Sequence, residues 1–127
     1  MSTGSSSPST LKQQVAQLDE GPCRDKAWLG DAVLSLFARQ WLLGLLRKGQ
    51  IPVPPEGEFT RAELFTWITS NQFLSAFGDP TRVEAEIGLV YESEGLQAAF
   101  LHIQEQLLPL FLKQVNNRSK ALRTSRR

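Results

Sequence analysis

The sequence predicts an all-α domain, a bundle of five to six helices joined by short loops. In several segments apolar residues recur every three to four positions, and Gly, Pro or Ser/Thr/Asn breaks separate these segments. No stretch alternates apolar and polar residues as a strand would, and no internal repeat or Gly-rich phosphate loop occurs. The 127 residues suffice for one domain with its own core and are too few for two.

Composition divides the chain into three parts. Residues 1–10 are rich in Ser, Thr and Gly, which predicts a disordered leader and no secretory signal. Residues 11–112 carry the predicted helices. Residues 113–127 form a basic tail whose cations are Lys113, Arg118, Lys120, Arg123, Arg126 and Arg127. Since the whole chain has a net charge of only +1, this tail follows an acidic body and indicates an anionic partner such as nucleic acid, with a solvated terminus as the alternative.

Cysteine usage and hydropathy bear on location. The single cysteine, Cys23, excludes a disulfide framework or a cysteine zinc cluster, so a reducing, cytoplasmic location is expected. Residues 28–46 are apolar enough to raise the question of a membrane span. Because Asp31 and Arg39 would each cost about 2.5–3.5 kcal/mol at mid-bilayer, a core helix and no membrane partner are expected instead.

The first two helices are predicted from spacing and breaks. Apolar residues within 11–18 recur at helical spacing behind a candidate N-cap at Ser9 or Thr10, and Gly21-Pro22 should end this helix. The long central helix, residues 24–48, is closed by a basic turn and a glycine. It is apolar nearly all round, which indicates contacts on more than one side.

The later helices follow a proline-rich loop at residues 51–55. They are predicted at about residues 59–68, 73–77, 81–91 and 96–112. Thr69-Ser70-Asn71 separates the first two of these, and Asp79 with Pro80 should begin the third. The third helix should turn Val83, Ile87, Val90 and Tyr91 toward the core. Gly95 should end it, and Pro109 should kink the last helix or end it early.

The central helix carries one carboxylate in an apolar stripe. Steps of three and four residues from Asp31 reach Ala27, Leu34, Ala38, Leu42 and Leu45. A buried, ionised carboxylate costs several kcal/mol unless a cation, a metal or hydrogen-bond donors compensate it. Asp31 is therefore predicted to be buried and compensated, by a metal or by one of Arg24, Lys26 and Arg39.

A second candidate carboxylate is Glu84, at the edge of the apolar stripe of its helix. Gly88, one turn later, removes a side chain and lets another helix approach. Two carboxylates from packed helices suit a hard cation, because Mg²⁺ commonly takes one or two and keeps its waters. The alternative is a solvated acidic pair. Glu86 should point elsewhere and pair with Arg82 on the surface.

Other catalytic arrangements find little support in the sequence. His102 is the only histidine and lies among apolar residues, which favours a structural or solvent-facing side chain. Cys23 is interpreted as an incidental thiol. No HExxH, CxxC or Walker pattern occurs, so neither a zinc site nor a P-loop is expected.

Three segments resemble those of one known family. The signature helix of the ribonuclease III endonuclease domain is similar to Ala27-Trp28-Leu29-Gly30-Asp31-Ala32-Val33-Leu34. Its second acidic motif resembles Val83-Glu84-Ala85-Glu86-Ile87-Gly88-Leu89-Val90-Tyr91, and its middle helix begins like Ser70-Asn71-Gln72-Phe73-Leu74. The resemblance covers residues 10–112. Ala27 and Thr81 stand where the full family has two further carboxylates, the reduced pattern of Mini-ribonuclease III.

The resemblance implies a ribonuclease III-like helical bundle that forms a homodimer, with the signature helices packed across the two-fold axis. It also implies hydrolysis of double-stranded or structured RNA, as in ribosomal RNA processing, with Mg²⁺ as cofactor and Mn²⁺ as a substitute. Asp31 and Glu84 would be the catalytic metal ligands, supported by Gly30 and Asn71. The basic tail residues would contact RNA phosphates.

Two departures from the family keep an alternative open. The segment between Phe77 and Thr81 is too short for the basic loop expected to contact RNA, and Ser35 stands where short relatives often have Glu. The alternative is a catalytically inactive ribonuclease III-like module that binds RNA or the ribosome. A third interpretation is a helical homodimer that binds only protein, with Asp31 neutralised by a neighbouring cation.

Overall fold

The computed structural model describes residues 10–47 and 58–125, and these residues are all-helical, which confirms the predicted class. They form α1 (Leu11–Ala16), α2 (Glu20–Arg47), α3 (Arg61–Ile68), α4 (Asn71–Leu74), α5 (Pro80–Glu94), α6 (Leu96–Gln106) and α7 (Leu108–Ser125). The described residues thus contain seven helices where five to six were predicted. Residues 1–9 of the predicted leader and the predicted loop at 51–55 lie outside the described residues. Thr10, the last residue of the predicted leader, is described.

The first helix begins as predicted, but the second begins earlier. Thr10 caps α1 with a reciprocal pair: its hydroxyl accepts from the Gln13 backbone N–H at 3.1 Å, and its own N–H donates to the Gln13 side chain at 2.9 Å. α2 begins at Glu20, so the predicted break at Gly21-Pro22 is wrong. Pro22 lies in the first turn, where backbone N–H groups have no partner within the helix, so the missing donor costs little there.

The predicted starts of α3 and α5 are confirmed, whereas α4 spans Asn71–Leu74 and not the predicted residues 73–77. Thr60, Ser70 and Asp79 are the N-caps of α3, α4 and α5, and each side chain accepts from the backbone N–H three residues later. Pro80 is the first residue of α5, where its fixed φ suits a helix start. Gly95 ends α5 with a φ of 98°, a left-handed conformation that glycine adopts without strain.

The additional helix arises from a break near Pro109. α6 ends at Gln106 and α7 begins at Leu108, so Pro109 occupies the second position of a new helix. A proline is tolerated there but would disrupt a continuous helix. α7 then runs to Ser125, so residues 113–125 of the predicted basic tail are helical.

The core lies around α2, which packs mainly on α5 and also on α3 and α6. At its centre the buried ring of Phe111 meets three aromatic rings edge-on: Trp41 at 5.9 Å, Trp67 at 5.4 Å and Phe73 at 5.6 Å between centroids. Val83, Ile87 and Val90 are buried as predicted. Tyr91 is 39 % exposed, so its predicted core position is wrong.

Three polar contacts hold α1 against the rest of the domain. The buried carboxylate of Glu86 accepts from Lys12 Nζ at 3.2 Å, and Lys12 also donates to the Phe77 carbonyl at 3.1 Å. Arg82 donates to the Val15 carbonyl at 3.2 Å. The predicted surface pair between Glu86 and Arg82 is therefore wrong, because α1 packs across this face of α5 and offers each side chain a different partner.

His102 lies on α6 beside this contact. Burial lowers the pKa of its imidazole, while the charge of Glu86 raises it and that of Lys12 lowers it. No hydrogen bond or ion pair among residues 10–47 and 58–125 joins His102 to Asp31 or Glu84.

The closest helix contact is the crossing of α2 and α5 at two glycines. A Cβ on Gly30 would overlap the Glu84 carbonyl oxygen and lie 2.9 Å from the Gly88 nitrogen. A Cβ on Gly88 would overlap the Lys26 carbonyl oxygen and lie 3.1 Å from the Gly30 nitrogen. Because each neighbour is backbone, neither position has room for a side chain unless the helices separate.

Gly30→Ala should therefore destabilise the fold. We expect the free energy of unfolding to fall by about 1–3 kcal/mol or more, the usual cost of forcing a methyl group into a packed contact. Gly44→Ala is the control on the same helix, since nothing lies within 4 Å of its Cβ position. It should raise stability by up to about 1 kcal/mol through helix propensity. Urea unfolding of both variants checks this, and equal stability of the two would contradict the crossing.

Candidate metal site at the crossing of α2 and α5

The crossing brings Asp31 and Glu84 together. Asp31 follows Gly30 on α2, and Glu84 precedes Gly88 by one turn on α5. With the two backbones in contact, their neighbouring side chains meet beside the crossing, and the Glu84 carboxyl forms a hydrogen bond with the Asp31 side chain. The two carboxylates singled out in the sequence thus form one pair on two packed helices.

Asp31 is exposed, so its predicted burial is wrong. The stripe itself is correct, because Ala27, Leu34 and Ala38 are all buried. Asp31 lies at the edge of that stripe, beside the crossing rather than beneath it, and its carboxylate reaches solvent. Glu84 is the half-buried member of the pair, and the cost of removing a charge from water falls mainly on it.

The two carboxyl groups lie so close together that ionisation of one opposes ionisation of the other. The pKa of Glu84 is raised from 4.5 to about 8, first by burial and then by the hydrogen bond with Asp31 and the repulsion of its charge. At neutral pH Glu84 therefore keeps its proton and donates a hydrogen bond to Asp31. A divalent cation could replace that proton, since it too would hold the two oxygen groups together.

The cations considered as partners of Asp31 are engaged elsewhere. Arg24 pairs with Glu20, Lys26 pairs with Glu92, and the guanidinium of Arg39 lies over the Phe65 ring, 4.5 Å from its centroid. Within the described ranges no ion pair reaches Asp31. The predicted neutralisation of Asp31 by one of these three side chains is therefore wrong.

The donor set fits a hard divalent cation held partly by water. In residues 10–47 and 58–125 no group of three or more His, Cys, Asp or Glu side chains gathers as a metal site would. Two carboxylates are nevertheless what Mg²⁺ commonly takes from a protein, whereas a structural zinc site takes four protein ligands. Ser35 lies one turn after Asp31 on α2, and Thr81 lies one turn before Glu84 on α5.

Gly30 and Asn71, which were predicted to support the metal ligands, lie on different helices. Gly30 lies within the crossing and is required for the close approach. Asn71 is exposed at the first position of α4, where Ser70 is the N-cap. No contact among the described residues joins the Asn71 side chain to Asp31 or Glu84.

The basic residues of α7 do not share one face. Lys113 and Lys120 are seven residues apart and lie on the same side of the helix. Arg118 lines a groove of about 990 Å³ between α7 and the α3–α4 segment. Arg123 pairs with Glu58 at 3.4 Å. Arg126 and Arg127 lie outside the described residues.

Sequence reasoning missed the exposure of one large apolar side chain beside the carboxylates. Trp28 is 80 % exposed and precedes Asp31 by three residues on α2. Ala32 and Leu36 follow it at four-residue spacing on the same face and are also exposed. The signal was present in the helical spacing, since these positions lie opposite the buried Ala27, Leu34 and Ala38 stripe.

The raised pKa of Glu84 should make stability depend on pH. The folded protein binds this proton more tightly than the unfolded chain, so the stabilisation is complete below pH 4.5 and is lost as pH rises toward 8. Relative to Glu84→Gln, the free energy of unfolding of the parent should therefore fall across this range. Urea titrations at several pH values measure the difference, with Glu94→Gln on the same helix as control. Parallel profiles for the parent and Glu84→Gln would contradict the shared proton.

Comparison with protein-family models, curated proteins and solved structures gave no match to this chain. The resemblance to the ribonuclease III endonuclease domain therefore depends only on the residues quoted above. Among the described helices, none is long and apolar enough to cross a membrane.

Proposed function

We propose that this chain is a divalent-metal-dependent endoribonuclease of the ribonuclease III type that cuts double-stranded or structured RNA, for example in ribosomal RNA processing. One observation carries the proposal: Asp31 and Glu84, separated in sequence, form a carboxylate pair where two glycines bring α2 and α5 into backbone contact. The pair is open to solvent on the Asp31 side, where a phosphate group could approach.

The chain's own residues would prepare the site for the reaction. Asp31 and Glu84 would hold Mg²⁺ or Mn²⁺, and Glu84 would give up its proton when they do. When bound, such an ion supplies an activated water and stabilises negative charge on the phosphate and the leaving oxygen. The crossing at Gly30 keeps the two carboxylates at a fixed separation, so little reorganisation is needed on metal binding.

Exposed cations on α7 support RNA as the substrate. From Leu107 to the end the sequence has no acidic residue, and Lys113, Arg118 and Lys120 are exposed and have no ion pair within the described part of the chain. Contacts of this kind bind the phosphates of A-form RNA by charge and shape, and the affinity falls as salt rises.

The exposed face of α2 supports a homodimer. Trp28, Ala32 and Leu36 place an apolar strip on the surface of the helix that also carries Asp31. A contiguous exposed apolar patch often marks an interaction surface, and Trp28, 80 % exposed, is the largest side chain of this strip. A second copy packing its own α2 against this strip would bury it, as the ribonuclease III resemblance implies.

A catalytically inactive RNA- or ribosome-binding module is the second candidate. The observation that favours it is the separation of the α7 cations from the carboxylate pair, since no contact of the described residues links the two. Binding through α7 would then persist in EDTA and would be lost when the residues after Lys113 are removed.

Cleavage of a structured RNA tests the proposal. With Mg²⁺ the parent should cut, and Asp31→Asn or Glu84→Gln should each reduce the rate more than about 100-fold, a loss of about 2.7 kcal/mol of transition-state stabilisation. Glu94→Gln removes an exposed carboxylate from the same helix and should cut at the parental rate. An inert parent that still binds the RNA in EDTA would favour the second candidate, and normal cleavage by both acid variants would exclude the carboxylate pair.

Analytical ultracentrifugation tests the dimer. The parent should sediment as a dimer, and Trp28→Glu should shift it to the monomer because an ionised side chain cannot be buried cheaply in the interface. Leu101→Glu on α6, also at an exposed position, is the matched control and should remain dimeric. A monomeric parent at every concentration would contradict the proposed partner.

A further inference from the structure

A second pocket lies between α2 and α3, away from the carboxylate pair. It has a volume of about 320 Å³ and is lined by Arg39, Leu42, Leu43, Arg61, Ala62 and Phe65. Arg39 is eight residues beyond Asp31 on α2, about 12 Å along the helix axis. The pocket is therefore distinct from the candidate metal site.

Its two arginines have no acidic partner among the described residues. Glu63, close to Arg61 in sequence, accepts the Thr60 backbone N–H at 2.7 Å as part of the α3 capping box. Glu58, just before α3, pairs with Arg123. Within residues 10–47 and 58–125 no acid therefore compensates these two positive charges, which makes the pocket attractive to an anion.

The remaining lining is apolar. Leu42 is fully buried, Leu43 is 41 % exposed, and Phe65 is half-buried with the Arg39 guanidinium over its ring. This cation–π contact holds the guanidinium beside the apolar surface instead of leaving it free in solvent. The pocket thus combines a doubly positive edge with a surface suited to a ring or an alkyl group.

Charge and size select the ligand. A phosphate monoester carries about −1.5 to −2 at neutral pH, close to the charge of two arginines, whereas a carboxylate carries −1. The volume is near the lower end of the range for small-molecule pockets, about 300–1,000 Å³, which suits a single ring system. We propose that this pocket binds an aromatic phosphate monoester such as a nucleoside monophosphate, with phosphate between Arg39 and Arg61 and the ring against Leu43 and Phe65.

The test uses phenyl phosphate as probe, titrated calorimetrically into the full chain in EDTA so that no metal contributes. Phenyl phosphate should bind saturably and at least about tenfold more tightly than inorganic phosphate, which lacks the ring. Arg39→Gln and Arg61→Gln should each weaken it by about tenfold or more, as expected for loss of a charge-assisted hydrogen bond. Arg24→Gln removes an arginine that pairs with Glu20 at the start of α2 and should leave the affinity unchanged.

A further variant separates the ring from the charge. Leu43→Asn should reduce the preference for phenyl phosphate over inorganic phosphate while leaving phosphate binding intact. The pocket assignment is overturned if phenyl phosphate does not saturate, if it binds no better than inorganic phosphate, or if Arg39→Gln and Arg61→Gln bind like the parent with unchanged thermal melting.

Two sources share this chemistry, a free nucleotide and the 5′-phosphate end of an RNA strand. Titration with adenosine monophosphate, and with a short oligoribonucleotide carrying either a 5′-phosphate or a 5′-hydroxyl, distinguishes them. A 5′-phosphate preference that Arg39→Gln abolishes identifies the RNA end, and binding of the mononucleotide alone identifies the free nucleotide. Because these titrations need neither metal nor cleavage, their outcome is independent of the proposed nuclease activity.

Discussion

The backbone contact between α2 and α5 at Gly30 and Gly88 determines where the charged groups of this domain lie. Without side chains at these positions the two helices approach until carbonyl oxygens of one meet the α-carbons of the other. The side chains beside the glycines are then forced together on both sides of the crossing. On one side Lys26 pairs with Glu92, and on the other Asp31 meets Glu84. One side of the contact is thus electrostatically satisfied, and the other retains a proton that a cation could replace.

The sequence predicted the fold where a local signal decides the structure. Thr60, Asp79 and Gly95 mark helix boundaries through capping or a left-handed backbone, interactions that involve only a few neighbouring residues. The errors came where tertiary contacts decide. Pro22 was predicted to break a helix but lies in the first turn of α2, where a proline is tolerated. Glu86 pairs with Lys12 and not with Arg82 because α1 covers that face of α5.

At the candidate site, too, local sequence signals selected the residues and tertiary contacts decided what could not be predicted. Helical spacing was enough to select Asp31 and Glu84, and Gly88 was enough to suggest a close helix approach. Spacing could not tell which carboxylate is buried, since that depends on how far each Cα lies from the crossing. The exposure of Trp28 and the meeting of Arg39 and Arg61 at one pocket likewise depend on which faces other helices cover.

In the proposed nuclease a divalent cation would displace the proton that Asp31 and Glu84 share. Calorimetric titration of Mn²⁺ at pH 7, repeated in two buffers of different ionisation enthalpy, counts the protons released per ion bound. The expected result is one bound ion with release of about one proton, since the Glu84 pKa of about 8 lies above the working pH. Saturable binding without proton release, or no binding at all, would contradict a cation that replaces the shared proton.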